Sequence, residues 1–262
     1  MNFNFKNKNV FISGATHGIG LDCIVNFAKL GANVITFSRD KKKIKKLKMK
    51  LNLLKSKYFI AQGDILDEKF IHHFSKVVLK KYKKIDILIH NVGGGGRWGK
   101  ENFLETNLNI WDQVYKKNNN GLIIFTKYFL PTMIKNNWGR VIAIGSVCGI
   151  ESRKEDRPWF AAAKSAQHGI IKSLSKKHIY TKKNITFNSI SPGPIFIKNT
   201  GWDEEKKKNP EKFKKKINNL VPTKHLGKPE DISPLCLFLS SEYAKYINGS
   251  NYVIDGGLAN SI

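Results

Sequence analysis

Three glycines follow a short apolar run near the start of the chain, at a spacing that suits phosphate binding. The run Val10 to Ile12 is typical of a strand buried on both faces. Gly14, Gly18 and Gly20 allow a tight turn in which the backbone approaches a pyrophosphate without a Cβ in the way. Apolar residues then recur at helical spacing from Ile19 to Leu30, so a helix N-terminus would offer free N–H groups to the anion. The stretch predicts a strand, a phosphate loop and a helix.

The next mostly apolar run ends at residues that indicate which nicotinamide dinucleotide the protein would bind. Val34 to Phe37 is typical of a second buried strand, and Ser38 and Arg39 follow it. In a dinucleotide-binding fold this position meets the adenosine ribose, where a carboxylate suits a 2′-hydroxyl and a cation suits a 2′-phosphate. The neutral Ser38, the cationic Arg39 and His17 beside the phosphate loop favour NADP(H) over NAD(H).

Two further polar residues stand where a ligand could reach them. The stretch Trp138 to Ser146 predicts a turn and a fifth strand, and ligands of open parallel sheets bind beyond the carboxyl ends of strands. Asn118 lies inside a helix predicted from Trp111 to Met133, where asparagine is locally unfavourable, and this invites a functional reason. His90 is interpreted as a structural hydrogen-bonding residue, because a lone histidine near a core is usually satisfied there.

Strands and helices alternate along the chain without internal repeats or low-complexity linkers. This alternation predicts an α/β fold with one Rossmann-like doubly wound parallel sheet of about seven strands and helices on both faces. At 262 residues the chain is long enough for one well-buried domain and short for two, so we expect a single domain over residues 1–262. Residues 197–219 are polar, lysine-dense and poor in core residues, which indicates a mobile lid or substrate loop.

The composition argues against several classes of protein. The formal net charge is +26, but only five of the 46 basic residues are arginines and no nucleic-acid recognition motif accompanies them. We therefore interpret the charge as a solvated lysine coat and expect no nucleic-acid partner. Neither a membrane-spanning apolar run nor a signal peptide is found, so we expect a cytoplasmic protein with no membrane partner. Cys23, Cys148 and Cys236 lack C-x-x-C spacing, so neither a disulfide framework nor a metal site is predicted.

A series of motifs in a fixed order gives the chain a family resemblance. The motifs are Gly14, Gly18 and Gly20, Asp64-Ile65, Asn91-x-Gly93, Asn118, Ser146, Lys164, Pro192-Gly193, Gly227-x-Pro229-Glu230 and Asp255-Gly256-Gly257. In these motifs and their spacing the chain resembles the short-chain dehydrogenase/reductase family from end to end. One motif departs from the family, because His90-Asn91-Val92-Gly93 stands where the family has asparagine-asparagine-alanine-glycine.

The resemblance implies hydride transfer between a nicotinamide and a carbonyl or alcohol carbon. It implies that Ser146 polarises the oxygen, that Lys164 lowers the pKa of a tyrosine and holds the nicotinamide ribose, and that Asn118 holds a water in a proton relay. The residues that it assigns to cofactor binding are Gly14, Thr16, His17, Gly18, Ile19, Gly20, Ser38, Arg39, Asp64, Ile65, Asn91, Val92, Gly93, Lys164, Pro192, Gly193 and Ile195.

The family's acid/base tyrosine is absent from its expected position. Phe160 stands there, one helical turn before Lys164 and on the same face, and a phenyl ring has no proton to give. Losing a positioned general acid costs on the order of 10²- to 10⁴-fold in rate. Three explanations stay open. Another donor could serve, with Lys164 first, Asp156 second and a bound water third; the substrate could supply its own acidic group or need no proton; or catalysis could have been abandoned.

Two functions follow as hypotheses. The first is an NADP(H)-preferring oxidoreductase that acts on a small or anionic metabolite, such as a 3-oxoacyl group on a carrier protein, a sugar or a sugar nucleotide. Its candidate substrate-binding residues are Arg97, Arg153, Arg157 and Phe160. The second is a cofactor-binding protein with little or no turnover that acts as a regulatory or structural partner. The resemblance also implies a homodimer or homotetramer.

Overall fold

A single parallel sheet runs through the protein. The computed structural model describes residues 2–100, 102–152 and 157–260. The strands are β1 (Asn9–Ile12), β2 (Asn33–Ser38), β3 (Tyr58–Gln62), β4 (Ile87–His90), β5 (Gly139–Ile144), β6 (Ile185–Pro192) and β7 (Asn251–Ile254). They lie in the order β3-β2-β1-β4-β5-β6-β7, and each neighbouring pair is parallel. The predicted α/β fold with a seven-stranded, doubly wound parallel sheet is confirmed.

Helices connect the strands and cover the sheet. They are α1 (Gly18–Lys29), α2 (Lys41–Leu53), α3 (Glu68–Tyr82), α4 (Leu108–Tyr115), α5 (Gly121–Lys135), α6 (Pro158–Ser175), α7 (His178–Thr181), α8 (Gly201–Lys208), α9 (Pro210–Leu220) and α10 (Pro229–Leu239). None of the helices in the described part of the chain has the length and apolar character needed to span a lipid bilayer.

The alternation of side chains along β1 builds two cores, one on each face of the sheet. Val10 and Ile12 point to one side and pack in a cluster with Phe27 of α1. Phe11 points to the other side, where its ring centroid lies 4.5 Å from that of Phe125 of α5. All five side chains are fully buried, so the sheet is covered on both faces, as parallel sheets require.

The order of the strands places a crevice beside β1. From β1 the chain first adds β2 and β3 on one side, and then crosses to add β4 on the other side. Such a reversal opens a crevice beyond the carboxyl ends of the two central strands, which is where open α/β sheets bind ligands. The loops that follow β1 and β4 border this crevice.

The helix predicted from Trp111 to Met133 is not continuous. It begins earlier, at Leu108, because the Asn107 side chain accepts a hydrogen bond from the Asn109 backbone N–H at 2.8 Å. A π-helical turn, Lys116–Asn120, separates α4 from α5, and Asn118 lies at its centre. Asn118, which is unfavourable in a regular helix, therefore lies in a distinct backbone feature. Turns of this kind are frequent at functional sites.

The polar segment 197–219 contains two helices, α8 and α9, where the sequence indicated a loop. Asn209 caps α9 by accepting from the Lys212 backbone N–H at 2.9 Å, and Pro210 occupies its first turn. Ile217 is buried and anchors α9 to the domain. Many lysines on the outer faces of a helix keep its composition polar without preventing it from forming.

Candidate active site

The glycine loop joins β1 closely to α1. Gly14 and Gly18 have positive φ angles of 68° and 56°, a region that favours glycine. A Cβ on Gly20 would lie 2.5 Å from the Asn91 amide nitrogen and 2.9 Å from the Gly14 carbonyl oxygen, which leaves no room for a side chain. His17 stands at the N-cap of α1 but makes no side-chain cap. The N–H groups of the first turn therefore keep the polarity that attracts an anion.

A groove of about 330 Å³ extends from this loop to the ends of β2 and β3. Predicted cofactor-binding residues line it, namely Gly14, His17, Ser38, Arg39, Asp64, Ile65, Asn91, Val92 and Gly93, and Trp98 and Lys117 line it as well. Ile19, in the first turn of α1, packs its side chain against the hydrophobic core, so only its backbone can serve a ligand.

Hydroxyl groups and one ion pair shape the far end of the groove. The Thr16 hydroxyl donates to Ser38 Oγ at 2.9 Å. Arg39 Nη1 lies 3.2 Å from Asp64 Oδ2, and the Arg39 side chain is 70% exposed. Asp64 Oδ1 also accepts from the Leu66 backbone N–H at 3.0 Å, which fixes the carboxylate in a turn. An exposed cation thus stands beside a fixed carboxylate and a hydroxyl.

The residues after β4 hold the glycine loop in place. The Asn91 side-chain amide donates to the carbonyl oxygens of Ser13 at 3.0 Å and of Gly14 at 3.3 Å. Ser13 Oγ accepts from the backbone N–H groups of Asn91 at 2.9 Å and of Val92 at 3.0 Å. The Val92 side chain packs beneath Gly14, so that a Cβ there would lie 2.6 Å from Val92 Cγ2. Asn91 and Val92 therefore shape the groove from below.

These features fit a nicotinamide dinucleotide. The glycine loop and the uncapped N-terminus of α1 suit a pyrophosphate, whose charge and close approach need N–H donors without a Cβ. Ser38, Arg39 and Asp64 offer a hydroxyl, a cation and a carboxylate to the adenosine end. At the opposite end, a Cβ on Gly93 would lie 2.8 Å from Lys164 Nζ, so the groove leads directly to that amine.

Lys164 is a buried amine on α6 with only 4% of its surface exposed. Its Nζ donates to the Ile144 carbonyl oxygen and to Gln167 Oε1, both at 2.9 Å. Burial lowers the pKa of Lys164 to about 7, while Cys148 opposes this lowering and the positive charge of Lys117 adds to it. A lysine whose pKa lies near neutrality can both give and take a proton.

Ser146 and Asn118 flank this amine in different ways. Ser146 follows β5 and is half-buried in the wall of a cavity, and its Oγ accepts from the Cys148 backbone N–H at 3.2 Å. The Asn118 side chain is fully buried, and its Nδ2 donates to the carbonyl oxygens of Val114 at 2.7 Å and Gly94 at 2.9 Å. Ser146 therefore faces the cavity, whereas Asn118 ties the π-helical turn to the glycine-rich loop after β4.

The cavity beside Ser146 has a volume of about 1010 Å³. Phe160 lies in its wall, and the centroid of its ring is 5.9 Å from Lys164 Nζ. Gly193 and Ile195 line the cavity rather than the groove, and Ile195 pairs with Gly227 in a parallel bridge. Pro192 is buried as the last residue of β6. The residues just after β6 thus belong to the wall of the cavity.

Charged and aromatic side chains close the outer side of the cavity. Arg97 Nη2 lies 2.6 Å from Glu205 Oε1, and Lys216 Nζ lies 2.8 Å from Glu205 Oε2. Both cations also stand over the Trp202 ring, at 5.7 Å for Arg97 and 5.0 Å for Lys216. We call these four residues the outer clamp, since they join the loop after β4 to α8 and α9.

Of the remaining residues predicted to bind the substrate or donate a proton, the structure describes one and leaves two outside the described residues. Arg157 lies at the N-cap position of α6 and lines the cavity. Arg153 and the candidate donor Asp156 lie outside the described residues. The structure thus brings Arg97, Arg157 and Phe160 together around one cavity.

Sequence reasoning missed Gln167 and Lys117. Gln167 is fully buried, and its Nε2 donates to the Asn118 carbonyl oxygen at 2.7 Å while its Oε1 accepts from Lys164. A signal was available, because a residue three positions after Lys164 shares its helix face. Lys117 Nζ lies 4.2 Å from the centroid of the Trp98 ring, in the wall of the groove. Its position immediately before Asn118 was the only hint.

Comparison with known proteins extends over nearly the whole chain. A family model described as Enoyl-(Acyl carrier protein) reductase matches residues 14–259. The 3-oxoacyl-[acyl-carrier-protein] reductase FabG of Buchnera aphidicola subsp. Acyrthosiphon pisum is 33% identical over 260 residues, which cover 97% of this chain and 98% of that protein. The protein of the same name from Thermotoga maritima is 30% identical over 253 residues, with 97% and 98% covered.

Solved structures share the fold. The L-sorbose reductase of Gluconobacter frateurii, complexed with NADPH and L-sorbose, superposes with a TM-score of 0.90 at 24% identity, with all of both chains covered. A 7α-hydroxysteroid dehydrogenase complexed with NADH and 7-oxo glycochenodeoxycholic acid gives a TM-score of 0.86 at 25% identity, with 99% of this chain and 97% of that chain covered. The likeness therefore spans the groove and the cavity alike.

Proposed function

The chain belongs to the short-chain dehydrogenase/reductase family, and we propose that it is an NADP(H)-preferring oxidoreductase that interconverts a carbonyl and a hydroxyl. The observation that carries the proposal is Lys164, a buried amine with a pKa of about 7 where the groove meets the cavity. Amines of this kind suit proton transfer at neutral pH.

The residues proposed to hold the dinucleotide are those of the groove. When bound, the dinucleotide supplies or accepts a hydride at its nicotinamide. The Gly14 to Gly20 loop and the first turn of α1 meet the pyrophosphate, and Asn91 to Gly93 support the path toward the nicotinamide. A preference for the 2′-phosphate is supported by the exposed Arg39, by Ser38 and by the nearby positive charge of Lys117.

Phe160 is proposed to occupy the position of the family's tyrosine, and Lys164 to act as proton donor in its place. In reduction the carbonyl carbon gains the hydride while Lys164 Nζ gives a proton to the carbonyl oxygen, which leaves a neutral amine that regains its proton from solvent. Ser146 Oγ already accepts from the Cys148 N–H, so its own O–H is available to orient that oxygen. In the reverse direction the neutral amine accepts the hydroxyl proton.

The proposed substrate is a small or anionic carbonyl compound. Arg97, Arg157 and Lys216 place positive charge on the cavity wall, and Phe160 and Trp202 provide flat apolar surface. Two relatives that are 33% and 30% identical to this chain are 3-oxoacyl-[acyl-carrier-protein] reductases, and a structural neighbour is an L-sorbose reductase. A 3-oxoacyl thioester carried by an acidic protein and a keto-sugar are therefore the first substrates to test.

We also propose a homodimer or homotetramer. Apolar side chains stand exposed along α4 and just before it, among them Leu104 at 86% and Leu108 at 78% exposure. A contiguous patch of this kind commonly marks a contact between proteins. Sedimentation of the native protein and of Leu104→Glu/Leu108→Glu tests the assignment, and an unchanged sedimentation coefficient would contradict it.

The experiment that tests the function measures binding first and chemistry second. NADPH and NADH affinities are determined by fluorescence, and single-turnover oxidation of bound NADPH is followed with 3-oxoacyl thioesters and keto-sugars. Native protein is compared with Phe160→Tyr, and Phe103→Tyr, on an exposed ring, serves as the matched control. Turnover by native protein supports the alternative donor. Turnover by Phe160→Tyr alone favours the second hypothesis, a cofactor-binding protein without catalysis, and failure of all variants to bind either nucleotide overturns both.

A further inference from the structure

An unbroken chain of buried hydrogen bonds leads away from Lys164. Gln167 Oε1 accepts from Lys164 Nζ at 2.9 Å, and Gln167 Nε2 donates to the Asn118 carbonyl oxygen at 2.7 Å. His90 Nε2 contacts the same carbonyl oxygen at 2.9 Å, and His90 Nδ1 lies 3.3 Å from Ser13 Oγ. All five residues are buried, so water does not interrupt the chain from outside.

The chemistry of its neighbours leaves the Gln167 amide one orientation. An ammonium has only N–H donors to offer, and a backbone carbonyl oxygen only accepts. The oxygen of Gln167 must therefore face Lys164 and its nitrogen must face Asn118. The reversed amide would set N–H against N–H and oxygen against oxygen in a buried space, which costs both hydrogen bonds.

The proton on His90 is assigned by the same reasoning. Burial lowers the pKa of His90 to about 3, with the positive charge of Lys164 contributing, so the ring is neutral. Since the Asn118 carbonyl oxygen accepts, the ring hydrogen is on Nε2, and Nδ1 accepts from the Ser13 hydroxyl. Ser13 Oγ in turn accepts from the backbone N–H groups of Asn91 and Val92. The hydrogen bonds therefore run toward the Asn118 carbonyl oxygen from both sides. One series starts at Lys164 and passes through Gln167, and the other starts at Ser13 and passes through His90.

Both lone pairs of the Asn118 carbonyl oxygen are used in this arrangement. Gln167 occupies one and His90 occupies the other. This carbonyl oxygen therefore has no lone pair left for the relay water that the resemblance assigns to Asn118. An amide holds its neighbours firmly but does not hand a proton on, because it would have to become an imidic acid.

We infer that Gln167 is a positioning residue for Lys164, holding the amine by one N–H so that another of its hydrogens is kept available beside Gly93, at the inner end of the groove. The Ile144 carbonyl oxygen takes a second N–H at 2.9 Å, which leaves the ammonium one hydrogen for a substrate oxygen. The inference rests on the proposed role of Lys164 as proton donor. It also means that the amine does not regain its proton through the Gln167 amide and the π-helical turn.

The groups that face Lys164 from the elements around it define what a change at Gln167 should do. They are Cys148 after β5, Lys117 in the π-helical turn, His90 at the end of β4 and His168 on α6 itself. Gln167 is the neutral acceptor among them. Its removal takes a partner from the charged amine, and a carboxylate in its place adds an opposite charge, so the two changes shift the Lys164 titration in opposite directions.

The test titrates Lys164 directly by NMR in full-length protein labelled with [ε-¹³C]lysine, where its signal is the one missing from Lys164→Met. Native protein is compared with Gln167→Met, Gln167→Glu and, as a control with open space around the new methyl group, Gly169→Ala. The midpoint should fall by about one pH unit in Gln167→Met and rise by about one unit in Gln167→Glu, because one hydrogen bond to a charged group is of that size. Gly169→Ala should leave it unchanged.

A merely structural Gln167 predicts another result. Gln167→Met would then lower the unfolding temperature with the Lys164 midpoint unmoved, and that outcome overturns the inference. If Gln167→Met does not fold, Gln167→Glu, which differs from the native residue by one atom, gives the test alone, and the absence of an upward shift overturns it. The titration needs no substrate, so failure of hydride transfer in the native protein would reject the proposed function and leave this result standing.

Discussion

The dinucleotide groove and the neighbouring cavity are built in different ways. The groove is formed largely by backbone at the ends of β1 to β4, and most of its lining comes from residues 14–93. The cavity is formed by side chains from segments far apart in the chain, and the outer clamp joins Arg97 to Glu205 across 108 positions. Backbone geometry tolerates many sequences, whereas a wall of side chains changes with each substitution. The groove therefore depends less on the identity of individual side chains than the cavity does.

Lys164 lies between the two regions, since a Cβ on Gly93 of the groove would meet its Nζ, and the Phe160 ring of the cavity wall has its centroid 5.9 Å from that atom. The predictions below separate the two regions by asking which measurements respond to each change. They run from the largest expected effect to the smallest.

Lys164→Met should lower the single-turnover rate of NADPH oxidation by about 10²- to 10⁴-fold, because it removes the proposed proton donor. NADPH affinity should fall far less, by about tenfold, as expected for one lost hydrogen-bonding cation. The matched control is Lys176→Met, at the exposed C-terminal end of α6, which should leave both values unchanged. A Lys164→Met protein with a native rate would contradict the assignment of the donor.

Gly14→Ala should weaken NADPH binding by about ten- to a hundredfold, because a left-handed conformation costs an L residue about 1–2 kcal/mol and the methyl group also meets Val92. Fluorescence titration with NADPH measures the effect, and Gly169→Ala is the control for adding a methyl group. The cavity should not change, so the saturating rate with bound NADPH should be retained. A loss of rate without a loss of affinity would show that the regions are not separable in this way.

The reduction rate should fall as pH rises through about 7, by about tenfold for each further pH unit, because only the charged form of Lys164 can donate a proton. The oxidation of an alcohol should rise over the same range, since the neutral amine is the acceptor. Stopped-flow rates between pH 5.5 and about 9 test both limbs. Parallel profiles in the two directions would argue for a donor other than Lys164.

Arg39→Asp should reduce the ratio of NADPH to NADH affinity by about tenfold or more, because a carboxylate repels a 2′-phosphate and accepts from a 2′-hydroxyl. The same change at Arg97 should leave the ratio untouched, since Arg97 lies in the cavity. Equal affinities before and after Arg39→Asp would defeat the 2′-phosphate assignment.

Glu205→Gln should have the smallest effect, a rise in KM of up to about fivefold with kcat little changed, because partly exposed ion pairs contribute at most about 1 kcal/mol. The substitution keeps the shape of the residue and removes the charge that Arg97 and Lys216 share. Glu211→Gln, an exposed position on α9, is the control. A change in NADPH affinity, with the KM of the substrate unchanged, would show that the outer clamp acts on the dinucleotide groove and not on the cavity.

Much of the fold could be predicted because its signals are local. The runs at Val10, Val34 and Ile142 are almost entirely apolar, as is typical of strands covered on both faces, and they became β1, β2 and β5. Element ends were less exact. The helix predicted from Trp111 to Met133 begins at Leu108, because the Asn107 side chain caps it there, and a π-helical turn divides it before Gly121.

The helices α8 and α9 show how a local signal can be overlooked. Asn209 followed by Pro210 is a recognisable start of a helix, and Phe213 and Ile217 lie four positions apart. The many lysines obscured this pattern, because a helix with a charged outer face contains too few apolar residues to show a clear helical periodicity. The prediction of a lid over 197–219 remains a prediction, now for a helical segment.

The sequence alone determined the order of strands and helices, the glycine loop at the end of β1 and the absence of a phenol one turn before Lys164. Each depends on residues within a few positions of one another, so short-range backbone preferences and periodicity suffice. Only the tertiary structure decided that Gln167 joins Lys164 to Asn118, that His90 completes the chain to Ser13, and that a clamp closes the cavity. Those contacts arise between segments that meet only after folding, and no local preference specifies which side chains will face each other there.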